Sequence, residues 1–119
     1  MVTFRIARLN KEFLRLIAEI LTNRIKDDNV RDAVLTHVDC SRDLSHAKVY
    51  FTLLDDSKKN LVQSSLDFSC GQIRGHLGRE MHIRQIPELH FIFDDSERRA
   101  RSIDELIDRV IKEDMSKRR

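Results

Sequence analysis

Tryptophan is absent from this chain, tyrosine occurs once, proline once and glycine three times. So few breakers leave no flexible linker or low-complexity segment, and no internal repeat is visible. The glycine-rich fingerprints of nucleotide and acyl-transfer enzymes (P-loop, dinucleotide turn, G-x-S-x-G) do not occur, which argues against an enzyme. No hydrophobic run exceeds three residues, so neither a signal-peptide core nor a membrane-spanning helix is expected. The two cysteines, Cys40 and Cys70, form no C-x-x-C pair and read as free thiols of a cytoplasmic protein. The first eighteen residues are basic with Glu12 the only acid, a faint likeness to a transit peptide. The apolar period continues to Ile25, however, and favours a native first helix.

Charge of either sign is plentiful but nearly balanced, at 22 Lys+Arg against 20 Asp+Glu. Its distribution is more telling than its sum. Residues 1–26 carry six Lys/Arg against two Glu, residues 27–60 five against seven acids, and residues 71–84 three against one. Basic excess thus lies on the first helix and on the stretch 71–84. A chain of 119 residues forms a single domain, 1–119, burying roughly two-thirds of its unfolded surface.

Hydrophobic periodicity divides the chain into elements. Ile6, Leu9, Phe13, Leu16, Ile17 and Ile20 share one face of a helix over about residues 3–26, with Arg8, Lys11, Arg15 and Lys26 about 160° away. Lys26-Asp27-Asp28-Asn29 ends it in a polar turn. Residues 34–54 predict a β-hairpin. Val34, Thr36, Val38 and Cys40 alternate with Leu35, His37 and Asp39, and Ser41–Ser45 supply the turn. Ala47, Val49, Phe51 and Leu53 then face the helices, while His46, Lys48, Tyr50 and Thr52 face outward. Asp55-Asp56-Ser57 offers N-caps for a second helix.

The stretch 66–96 organises the rest. Val62, Leu66, Cys70, Ile73 and Leu77 form a helical stripe that Gly71 interrupts, and Gly78 is placed to end it. The expected need for Gly71 is backbone angles or close helix approach. Arg74, Arg79 and Arg84 follow, and Pro87 stands where a strand begins, with Leu89, Phe91 and Phe93 on one face. Ser102-Ile103-Asp104-Glu105 is a capping-box pattern. It opens a final helix with Ile103, Leu106, Ile107, Val110 and Ile111 as its stripe.

Rival chemistry is poorly supported. Gly75-His76-Leu77-Gly78 spells G-x-x-G, a backbone-clamping pattern of nucleic-acid-binding loops. The middle pair of such a loop would be exposed, whereas Leu77 continues the apolar stripe, so the helical reading is preferred. His37 and Cys40, three apart on a strand, point to opposite faces and cannot share a metal. Cys70 and His76 are poorly spaced for one helical face. Adjacent Asp94 and Asp95 diverge and make poor acid–base partners. Neither a metal nor a cofactor is expected.

The order is helix, strand, strand, bent helix, strand, helix, an α+β layer with the helices on one face of a small sheet. This order and four blocks of residues resemble the ribosome-binding factor A family. The blocks are Val38–Leu44 leading into Ala47–Tyr50; Ser69-Cys70-Gly71 with Ile73-Arg74 and Leu77-Gly78; Arg84 through Pro87-Glu88-Leu89-x-Phe91-x-x-Asp94; and the basic first helix ending in Ile25-Lys26-Asp27. The resemblance covers about residues 5–112, with a short charged tail, 113–119.

It implies a KH-like domain of type II order, α-β-β-α-kink-α-β plus a C-terminal helix, on a three-stranded sheet. The family's Ala-x-Gly kink falls on Ser69, Cys70 and Gly71, and Asp28 stands where the family often has proline. The implied function is that of a non-catalytic, cytoplasmic, monomeric assembly factor. It would bind the small ribosomal subunit and its rRNA late in assembly and assist 5′-end processing, with neither a small-molecule substrate nor a membrane. The expected phosphate contacts are Arg74, Arg79 and Arg84, then Arg8, Lys11 and Arg15, with Lys48 a weaker candidate on the sheet. The alternative is a protein–protein adaptor whose charged faces merely keep it soluble.

Overall fold

The computed structural model describes residues 4–95. Helix α1 spans Phe4–Asn23 and buries Phe13, Leu16, Ile17, Ile20 and Leu21, the face read from the 3.6-residue period. The polar turn after it contains a short helix, α2, Asp28–Arg31, capped by Asp27, whose side chain accepts from the Asn29 amide. Asp28 is thus the first helical residue. A proline suits that position equally, because its missing N–H has no partner there anyway. Arg31 turns back and donates to the carbonyls of Thr22 and Ile25, satisfying groups that the end of α1 leaves open.

Strands β1 (Val34–Cys40) and β2 (His46–Thr52) form the expected hairpin. Asp43 organises its turn by accepting from Ser41 Oγ at 2.8 Å, Ser45 Oγ at 2.7 Å and the Ser45 amide at 3.1 Å. Leu44 beside it takes a left-handed φ of 59°, a conformation that costs a non-glycine residue about 1–2 kcal/mol. The alternation expected along β1 holds only in its second half. Val38 and Cys40 are buried, but Val34 and Thr36 are exposed, because the register shifts between Leu35 and His37. A bulge inserts one residue and flips the inward set, so that Leu35, rather than Thr36, packs against the core.

A 3₁₀ turn, Asp56–Lys58, capped by Asp55, precedes helix α3, Lys59–Glu80. The caps proposed for the helix therefore serve this turn. One correction follows in α3. Ser69, Cys70 and Gly71 lie within a 22-residue helix, and that helix runs through Gly78, expected to end it, to Glu80. The reason is packing: Val62, Leu66, Ser69, Ile73 and Leu77 are all buried in phase. Tertiary burial of this stripe outweighs the low propensity of glycines that sit on the exposed side. No glycine has a positive φ, and a Cβ at Gly71 or Gly75 would meet nothing within 4 Å. The conformational and steric needs expected of Gly71 are therefore not found, and the G-x-x-G residues form helix, not loop.

After α3 the chain enters β3, Glu88–Phe93, with Pro87 buried just before it. Strand order is β1-β2-β3, antiparallel then parallel, so α3 is the crossover that a parallel pair requires. Both long helices cover one face, where Val38, Ala47, Val49, Phe51, Leu89 and Phe91 meet Phe13, Ile17, Leu66 and Ile73. This is the expected α+β layer, with helices on one face of a three-stranded mixed sheet. The helix expected at 103–111 lies outside the described residues.

Candidate nucleic-acid interface

The cations named from sequence fall into three environments. Arg8, Lys11 and Arg15 are exposed along α1, at spacings that keep them on one side of the helix. Arg15 lies 3.9 Å from Glu19; among the described residues no ion pair engages Arg8 or Lys11. Arg5 joins them. With Arg8, Leu9, Glu12 and Ile83 it lines a depression of about 390 Å³. With Ile6, Leu9, Arg42 and Asp43 it lines another, of about 580 Å³. Ile83 immediately precedes Arg84, so the loop after α3 and the start of α1 meet at one end of the molecule. Arg5 and Arg42 were missed in the sequence. Arg5 was legible as the turn before Arg8, whereas only the hairpin's docking against α1 brings Arg42 there.

Arg74 belongs to a different environment. Its Nε donates to the Pro87 carbonyl at 3.1 Å and a terminal nitrogen to the Ile86 carbonyl at 2.9 Å. It is half-buried and pins the approach to β3 against α3. Arg79 and Arg84, by contrast, are exposed, Arg79 in the last turn of α3 where a cation also suits the helix dipole. The predicted trio thus divides into one structural cation and two exposed ones. Lys48 is exposed on the outer face of the sheet, opposite Asp39 in register. It shares no face with α1, which covers the inner side.

The thiols are half-buried or buried. Cys40 is buried, its amide donating to Asn10 Oδ1 at 2.9 Å; burial and then Asp39 push its thiol up to about 11. Cys70 is also raised, by burial first and then Asp67, against the opposing Arg74. Neutral thiols are poor nucleophiles and poor metal ligands. Tyr50, expected to face outward, is stacked on His37 at 4.1 Å between ring centroids.

The α+β layer, with helices on one face of a three-stranded sheet, is shared with known proteins. The sequence model of ribosome-binding factor A matches residues 5–107. The chain belongs to the ribosome-binding factor A family. The Chromobacterium violaceum member is 38% identical over 110 residues, covering 92% of this chain and 80% of that one. A Pseudomonas putida member is 39% identical over 113 residues, covering 92% and 86%. The crystal structure of the Thermus thermophilus ribosome-binding factor A superposes with a TM-score of 0.68 at 22% identity, covering 74% of this chain and 93% of that one. Coordinates of the Thermus thermophilus factor fitted into the cryo-EM map of its complex with the 30S subunit give a TM-score of 0.61 at 21% identity, covering 76% and 96%. No helix among the described residues is long and apolar enough to cross a membrane.

Proposed function

We propose that this chain is a non-catalytic assembly factor that binds the small ribosomal subunit late in its assembly and assists maturation of the rRNA, including its 5′ end. It acts as a cytoplasmic monomer on rRNA, without a small-molecule substrate. The observation that carries this reading is the basic end formed by Arg5 and Arg8 on α1 and Arg42 in the hairpin turn, with Arg84 next in the chain to Ile83. Lys11 and Arg15 follow Arg8 along the same side of α1. Family membership and the description of the Thermus thermophilus factor as part of a 30S complex support the choice of partner. Cations held by a folded frame and exposed to solvent neutralise phosphates and release counterions, the main source of RNA affinity.

Sedimentation of cell extract tests the reading. The protein should co-migrate with free small subunits, and an Arg5→Glu, Arg8→Glu, Lys11→Glu variant should remain at the top of the gradient while folding normally. Co-migration untouched by these changes would sink the basic end as the contact. Such a result would favour the adaptor reading, for which Leu61 and Phe68, 53% and 85% exposed on α3, supply an apolar contact surface.

A further inference from the structure

Spacing along the chain pairs cysteines with histidines and finds no metal site, but the sheet brings together three other ligands. His46 opens β2; Glu88 and His90 lie two apart on β3. The parallel register sets His46 opposite Glu88 and Lys48 opposite His90. All three side chains therefore leave the outer face of the sheet, away from the helices. Their donor atoms lie within 4.8 Å of one another. His46 Nδ1 is 2.9 Å from His90 Nε2 and 3.6 Å from Glu88 Oε2. Two ligands, each about 2.05 Å from a tetrahedral zinc ion, stand about 3.3 Å apart, and the two observed separations bracket that value. We propose that His46, Glu88 and His90 bind one divalent transition-metal ion of the zinc class.

The donor set selects the ion. Two imidazoles and one carboxylate suit zinc, cobalt, nickel or copper, whereas magnesium and calcium take oxygen ligands. Three protein ligands on an exposed face leave at least one position to water. The frame is rigid where it matters: the Glu88 amide donates to the Ser45 carbonyl at 2.9 Å, locking the first residue of β3 beside the residue before His46. Without an ion, the facing nitrogens of the two rings lie at hydrogen-bond distance, and the carboxylate approaches His46 less closely. An ion engages all three groups at once and staples the parallel strand pair. Lys48, in register with His90, is the nearby cation and opposes binding. The cysteines cannot join, since Cys40 is buried on the inner face and the Cys70 thiol is directed at the Leu89 carbonyl.

Titration of the full chain with Co²⁺ reads the site directly. One equivalent should bind, giving visible d–d bands without a sulfur-to-cobalt band in the near ultraviolet. Zn²⁺ should displace it and a large excess of Mg²⁺ should not. His46→Ala, His90→Ala and Glu88→Gln should each weaken Co²⁺ binding at least about tenfold with an unchanged far-ultraviolet spectrum, as expected for exposed side chains. Independently of any variant, Zn²⁺ should shift the imidazole NMR signals of His46 and His90 in the unaltered protein and leave those of His37, His76 and His82 in place. The site is overturned if one equivalent of Co²⁺ does not saturate, if the three variants titrate like the parent, or if Zn²⁺ moves other histidines instead.

Discussion

A single side chain shows how position along the chain can mislead about purpose. Arg74 reads as part of a basic cluster, yet two of its donors are spent on the Pro87 and Ile86 carbonyls. Arg74→Ala should therefore destabilise the fold by about 1–3 kcal/mol, measured by urea denaturation, and leave the salt dependence of RNA binding nearly unchanged. Arg84→Ala should do the reverse, with stability within about 0.5 kcal/mol of the parent and a salt slope reduced by about 0.7–0.9. The glycines give a second contrast. Because Gly71 and Gly75 are helical, exposed and free of neighbours within 4 Å, Gly71→Ala and Gly75→Ala should each stabilise by about 0.5–1 kcal/mol. A loss of stability in the Gly71→Ala melt would mean that the helix needs a distortion there. Cys40 adds a pH dependence. Its thiol ionises near pH 9 when unfolded and near 11 when folded, so only the unfolded chain releases the proton in that window. Folding stability present below pH 9 should fall as pH rises towards 11, and Cys40→Ala should remove that part of the fall.

At the scale of an element, the hairpin turn is held by one carboxylate. Asp43 accepts from two serine hydroxyls and an amide, and the hydrogen bonds from Ser45, then that from Ser41, hold its carboxyl down to about 2, against 3.8 ordinarily. The ionised form is the bonded form, so its contribution is complete above the ordinary value and is lost as pH falls through about 2. Carbon-detected NMR of the Asp43 carboxyl should show that low midpoint, and Ser41→Ala with Ser45→Ala should return it towards 3.8. The turn residues were legible because short polar side chains bond their own backbone neighbours. The bulge in β1 was not, since alternation of residue types marks faces only while the register is unbroken. In α3 the apolar stripe was legible, but its depth was not: Ser69, 2% exposed, lies deeper than Cys70, because it falls in phase with the buried Leu66 and Ile73.

At the scale of the molecule, α1, the hairpin turn and the loop after α3 converge to form the basic end. Its electrostatic contribution should appear as a binding constant that falls steeply with salt, and the triple Glu variant of α1 should flatten that dependence more than any change on the outer sheet face, Lys48→Ala included. By itself the sequence determined the two long helices and the three strands of the described residues, the buried stripes of α1 and α3, and the family. These are written in short-range periodicity and in blocks of adjacent residues. Only the tertiary structure decided that Arg74 is a strut, that Arg42 stands beside Arg5, and that His46 meets Glu88 and His90 across β2 and β3. Each depends on which elements pair and in what register. That outcome is settled by burying two helices on one sheet face, since the exposed residues brought together as a result leave no periodic mark in the chain.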